Sequence, residues 1–395
     1  MQSDTPAWRD LLRVLVLVVG PLLTLSGRAA SAQVKIENGP FSLTTEAWLN
    51  ASGGGALDKG DRRDDARGHV VADGALRLLG LYRAAPDLAI GPRVVVASDT
   101  DDAVRLDQGT LLAQGDWGRF EIGRRQGLPD VLVGYAPNPY TYTSAEFGPA
   151  SGISLDPDGG LPTRFLRSGL REQIDALSYL GNTPALSNDR AVKGLYVSPR
   201  LSGFIFGLAY TPDAGSAPGG RSNGFNSLLQ SGISYEIYSG QEVYRLGVSY
   251  TFGDGEGAVR DLHSVSGGAS VSLDDLLTEG STTILGLNVS SDGGSGIVRP
   301  RRGGDVATAI GVTLSVNYEI GPWIAGGYYQ FARAEGDTAR EGNDRLHVLE
   351  LGASYRFTRE LRLFTAAYLF DLDDEGRGGA SRRGAVLLLG MRATL

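Results

Sequence analysis

From Phe41 onward the chain is built of runs of about ten residues that alternate apolar and polar positions, least clearly between 69 and 115, separated by irregular stretches. Phe41, Leu43, Thr45, Ala47 and Leu49 alternate with Ser42, Thr44, Glu46, Trp48 and Asn50. Successive side chains of a strand point to opposite sides, so this period of two marks a half-buried strand and is incompatible with a helix. Comparable runs lie near 69–82, 88–98, 105–115, 119–126, 191–198, 202–212, 228–238 and 242–253. Others follow near 261–273, 281–291, 305–319, 323–334, 344–357, 361–371 and 384–395, which with the first makes sixteen. In the run 242–253, Tyr244, Leu246, Val248, Tyr250 and Phe252 oppose Arg245, Gly247, Ser249 and Thr251. In 261–273 one row consists of Ser264, Ser266, Ser270 and Ser272, small and polar.

The connections carry a second pattern. After the first run they alternate between long, Gly- and Asp-rich stretches, beginning with 52–68, and short turns such as Asp116–Gly118, Ser239–Gln241 and Ile320–Pro322. A soluble sandwich has no reason to gather its long loops on one side, whereas a membrane barrel has short turns at one rim and long loops at the other. Aromatic residues follow the same division. Tyr82, Trp117, Tyr318, Trp323 and Phe357 stand beside short turns, and Tyr210, Phe252, Phe331 and Phe370 lie toward long loops, as two interfacial girdles require. In hydrocarbon an unpaired strand edge leaves backbone groups unsatisfied, so the first strand must pair with the last. The row Leu387, Leu389, Met391, Ala393 and Leu395 suits that seam. The expected fold is an all-β transmembrane antiparallel barrel of sixteen strands. Residues 127–189 are far too long for an ordinary hairpin connection and read as a functional loop folded into the lumen.

Composition narrows the chemistry. There is no cysteine among the 395 residues, which excludes a disulfide scaffold, a thiol nucleophile and a cysteine-ligated metal. Residues 1–32 read as an export signal, with Arg9 and Arg13, an apolar run at Val14–Leu25 and the small residues Ala30, Ser31 and Ala32 before Gln33. The domain proper is then 33–395. Loss of three arginines and two aspartates with that segment takes the formal charge from −8 to −9, which argues against nucleic acid as a partner.

The local sequences Gly123-Arg124, Ala145-Glu146-Phe147-Gly148, Tyr196-Val197-Ser198-Pro199 and Gly203-Phe204, in this order and on this strand count, resemble those of the bacterial general diffusion porins. Two departures stand out, because the family usually ends in phenylalanine and has proline where this chain has Ala145. The resemblance implies a homotrimer in the bacterial outer membrane, in contact with its lipid and lipopolysaccharide. It also implies a water-filled channel for ions and small hydrophilic solutes, and a third loop whose carboxylates face wall arginines. On that basis Glu146, Asp130, Asp156 and Asp158 are the candidate loop acids of a pore constriction, and Arg77, Arg93, Arg124 and Arg125 the candidate wall cations. Alternation with Phe120 and Ile122 outward turns Arg125 inward; the family match favours Arg124 and requires a bulge.

Other chemistry is thinner. The acidic loops around Asp99, Asp101 and Asp102, and around Asp371, Asp373, Asp374 and Glu375, could offer oxygens to Ca²⁺ or simply be solvated. No other cofactor is implied. The alternatives are an exported all-β adhesin or solenoid, and an outer-membrane barrel hydrolase. Only three histidines are present, His69, His263 and His347, and no Gly-x-Ser-x-Gly elbow, so an enzyme is not expected.

Overall fold

The two-residue period builds one continuous sheet. The computed structural model describes residues 34–59, 67–99, 104–133, 161–166, 191–214, 225–240, 242–255, 261–293, 309–337, 340–358, 360–374 and 381–394, with 170, 171, 173, 174, 177 and 178 between them. Its strands are β1 (Val34–Asn38), β2 (Phe41–Lys59), β3 (Arg67–Ala85), β4 (Leu88–Asp99), β5 (Arg105–Gly115) and β6 (Gly118–Arg124). Beyond the long loop follow β7 (Val192–Val197), β8 (Phe204–Thr211), β9 (Phe225–Ser239), β10 (Glu242–Gly255), β11 (Leu262–Asp274) and β12 (Ser281–Gly293). The last are β13 (Ala309–Ile320), β14 (Trp323–Asp337), β15 (Arg340–Arg356), β16 (Leu361–Asp374) and β17 (Arg382–Thr394).

From β2 to β17 each strand pairs antiparallel with the next, and β17 returns to β2 in a register running from Arg383 opposite Lys59 to Thr394 opposite Trp48. The result is a closed barrel of sixteen strands, in which no edge between them is left to lipid. β1 is additional. It pairs with β2 from Val34 opposite Thr45 to Asn38 opposite Phe41. Since β3 occupies the other edge of β2, β1 and β17 lie end to end along the same edge. No described helix is long and apolar enough to cross a membrane.

All sixteen runs coincide with a strand, and the differences are at the ends. β2 continues to Lys59, taking in the first part of the stretch 52–68 read as a loop. Its glycines pair with β17 and β3, and pairing on both edges overrides their low strand preference. β14 and β15 extend until Asp337 pairs with Arg340, so the connection between them is short where a long one was expected. β1 is only five residues, in which Val34 and Ile36 alternate with Lys35 and Glu37, too short to stand out as a run, and it pairs along the free part of the β2 edge.

The outward row is apolar. In β10, Leu246 and Val248 are more than half exposed while Gly247, Ser249 and Thr251 are buried, and Leu387, Leu389 and Met391 form the outward row of β17. This is the inverted pattern of a barrel in lipid. Inward rows are of two kinds. From β9 to β13 they hold small hydroxyls and amides, with Ser249 and Ser266 hydroxyls 2.7 Å apart. From β14 to β17 they carry large apolar side chains, with Leu346, Val348, Phe364, Tyr368, Phe370, Val386 and Leu388 buried in one cluster, beside buried Gln330, Asp344, Glu350 and Arg392. Phe370 is thus corrected from the outer girdle to the interior. Both faces of β16 are apolar, so alternation in the sequence carries no sign of which is which.

Candidate functional site

The inner wall between β2 and β7 gathers charge. In β6, Phe120 and Ile122 face outward, which turns Arg119 and Glu121 inward. Arg125, the residue after Arg124 at the strand end, is on the inward side and fully buried. Arg124 sits opposite Val192, itself outward and more than half exposed, so the register puts Arg124 on the outward row. Gly123 precedes it at φ +136°, a backbone geometry that L side chains seldom adopt.

Glu121 is the hub of this wall. Its carboxylate pairs with Arg125, lies 2.9 Å from Arg119 Nε and 3.6 Å from Arg93 Nη1, and accepts a hydrogen bond from Thr110 Oγ1 at 3.2 Å. Arg93 comes from β4, and a second pair, Arg77 with Glu46, continues the row across β3 and β2. Lys193 of β7 donates from Nζ to the Arg125 carbonyl at 2.7 Å. Among the described residues, Arg77, Arg93, Arg119, Arg125 and Lys193 lie on this stretch of wall with the carboxylates Glu46 and Glu121. Further along the same strands are buried Asp73 and Asp107. Toward the short-turn rim, Arg119 also lines a cavity of about 460 Å³ with Arg83, Asp87 and Asp116.

The structure thus brings together Arg77, Arg93 and Arg125 and sets Arg124 apart. Asp130 is half-buried in the first turn of α1 (Leu128–Leu132), while Glu146, Asp156 and Asp158 lie outside the described residues. Glu121, Arg119, Glu46 and Lys193 were not among the candidates. The alternation that turned Arg125 inward also turns Arg119 and Glu121 inward, so two of the four were within reach of that signal.

The start of the long loop is held by contacts on inward faces. Leu128 and Leu132 of α1 seat on Gly207 of β8, where a Cβ would collide with Leu128 and come within 3.0 Å of Leu132, and the Leu128 amide donates to Gln230 Oε1 at 3.0 Å. At the short-turn rim on this side, Arg200 and Arg245 both pair with Glu236 at 2.8 Å. The Tyr238 hydroxyl, then the Glu236 carboxylate, raise the pKa of the Arg200 guanidinium, which lies in the turn before β8.

His263 and His347 are exposed on the outward face, each with Nδ1 2.7 Å from a tyrosine hydroxyl, Tyr250 and Tyr329. Among the described residues no group of three or more could hold a metal ion. In the outer acidic loop Asp371 is 2.9 Å from Arg383, and Asp373 accepts from Ser381 at 3.0 Å.

A closed sixteen-stranded barrel with an apolar outside and fixed charges inside defines an outer-membrane channel. The sequence profile of the Gram-negative porins matches residues 24–375, and the chain belongs to that family. Among solved structures it is similar to an anion-selective porin from Comamonas acidovorans, at 17% identity and TM-score 0.55, covering 90% of this chain and 100% of that one. It is also similar to Salmonella typhi OmpF in complex with daunomycin, at 11% identity and TM-score 0.58, covering 90% and 100%. A third is a Rh. blastica porin mutant, at 14% identity and TM-score 0.52, covering 89% and 99%. No curated protein matches by sequence. The protein is a bacterial outer-membrane porin, a water-filled channel for passive diffusion.

Proposed function

We propose that permeating ions and small hydrophilic solutes are selected where they pass Arg93, Arg119 and Arg125, and that the channel prefers anions. The observation that carries this is the cluster of three guanidinium groups, Arg93, Arg119 and Arg125, around the single carboxylate of Glu121 on that wall. Fixed charge at a narrow point acts over a few ångströms, where screening over ~8 Å is least effective, so it outweighs the acidity of the whole chain. The loop 127–189 supplies the facing side, with Asp130, Glu146, Asp156 and Asp158 as its acids. The Comamonas neighbour is described as anion-selective, which agrees with this reading at the level of the fold.

Reversal potentials in a salt gradient test it. Replacing Arg93 and Arg125 by Ser moves them toward cation selectivity and raises conductance, whereas Glu146→Gln moves them toward anions. A larger shift from Asp101→Asn with Asp102→Asn on an outer loop would remove the site from this wall. Two further elements complete the reading. The protein works as a homotrimer, as one Vibrio cholerae neighbour was solved in a trimer form, and cross-linking in mild detergent checks it. Residues 1–32 are removed on export, which N-terminal sequencing of the membrane-extracted protein checks.

A further inference from the structure

Near the short-turn rim three arginines stand in one cross-strand row. Arg356, the last residue of β15, is directly opposite Arg362 of β16, and Arg362 is directly opposite Arg392 of β17. Leu363 and Met391, beside Arg362 and Arg392, are outward and exposed, and Ser354, two residues before Arg356, is buried on the inward side. Alternation therefore turns all three arginines to the lumen. Like charges directly opposite one another destabilise a sheet. Asn50 of β2 follows Arg392 in the row, and the next residue beyond it is Asp73 of β3. Glu360, two residues before Arg362, accepts a hydrogen bond from Thr358 Oγ1 at 2.9 Å.

The surround of the row is built from aromatic rings. The buried Arg392 guanidinium lies over the Trp48 ring, 5.4 Å from its centroid, a contact that holds its plane. Away from the rim, the Phe364 ring covers Gly390, the next inward residue of β17, where a Cβ would collide with it. The row is thus flanked by Phe364 on its inner side and by Trp48 at the Arg392 end, and is exposed at Arg356.

We propose that Arg356, Arg362 and Arg392 form an anion site at the short-turn mouth, separate from the Arg93, Arg119 and Arg125 cluster of β4–β6, and that it takes compact solutes carrying two phosphoryl groups. Neighbouring strands are ~4.8 Å apart, so the three guanidinium groups are spread over ~10 Å. A chloride or a single carboxylate meets one of them, whereas a diphosphate spans the row and offers each planar fork a pair of oxygens. Its charge removes the repulsion along the row. The site sets how long such a solute stays at the mouth, and it does not depend on the reading of Arg93, Arg119 and Arg125 as the selecting wall.

The lack of native cysteine allows a local readout. Thr394→Cys puts a thiol on the inward side two residues beyond Arg392, where an anionic methanethiosulfonate labels it in the full-length, membrane-inserted protein. Inorganic pyrophosphate is expected to slow this labelling about tenfold, and sodium chloride at equal ionic strength by less than about twofold. With Arg356→Ser and Arg362→Ser added, pyrophosphate is expected to protect no better than chloride, and Arg356→Lys with Arg362→Lys to keep part of the protection. Equal protection by pyrophosphate and chloride in the chain carrying Thr394→Cys alone overturns the site, as does protection that survives both serine substitutions. If that barrel does not assemble, Arg356→Ser alone, at the exposed end of the row, is expected to weaken protection about threefold. Undiminished protection there also overturns the site. Arg93→Ser with Arg125→Ser moves the reversal potential and leaves the protection intact, so the failure of either reading is visible separately.

Discussion

Glu121 is one carboxylate among three guanidinium groups, and the consequences of removing it follow from that ratio. Glu121→Gln leaves Arg93, Arg119 and Arg125 facing one another in a buried position, where breaking such a pair costs about 3–5 kcal/mol. The variant is expected to unfold at lower urea while becoming more anion-selective, and a denaturant titration beside a reversal-potential measurement checks both. The contrast between Val248 and Arg245 tests the faces of β10. Val248→Arg puts a charge in lipid and lowers stability by about 2–4 kcal/mol at mid-membrane. Arg245→Ser leaves Glu236 its partner Arg200 and costs under about 1 kcal/mol; the reverse order in urea would invert the register. The placement of Leu246, Val248 and Leu387 was legible in the sequence because each sits in a run with one polar and one apolar face, whereas alternation and the family resemblance pointed to different arginines, Arg125 and Arg124, as the inward one. Phe370 was not legible, since both of its neighbouring rows are apolar and period two is silent when the two faces match.

At the scale of elements, the sixteen strands were legible and their ends were not. Alternation is enforced only while a strand is between lipid and lumen; beyond the membrane β2, β14 and β15 continue as paired but mostly polar or glycine-containing chain, which reads as loop. The long loop was legible by its length alone. Its seats were not, because they depend on residues far along the chain, such as Gln230 for Leu128 and Gln330 for Ser178. α1 makes this concrete. Gly207→Leu fills the seat of Leu128 and Leu132, and overpacking of this kind costs about 1–3 kcal/mol. The expected outcome is a folded barrel in which amides 128–133 exchange faster with deuterium and the open-channel current becomes noisier. Unchanged exchange would mean that α1 has another seat.

For the whole molecule the seam is decisive. Deleting 385–395 removes most of β17, leaving β2 and β16 as free edges in hydrocarbon, and is expected to abolish assembly. Recovery of a compact, heat-modifiable species from the truncated chain would refute closure. The two kinds of inward face have a further consequence, in the heat of unfolding. An open barrel exposes little new apolar surface to water when it loses its shape in detergent, because its outside was never in water and its inside was already wet. This barrel also holds a dry core of aromatic and aliphatic side chains within its wall, Phe165, Leu170, Ile174 and Leu177 of the long loop among them. Exposure of apolar surface raises heat capacity by about 0.45 cal/mol/K per Å². Calorimetry should therefore give a larger heat-capacity step than for the same barrel with residues 161–178 replaced by a polar linker, and the difference measures how much of this channel is built like the inside of a soluble protein.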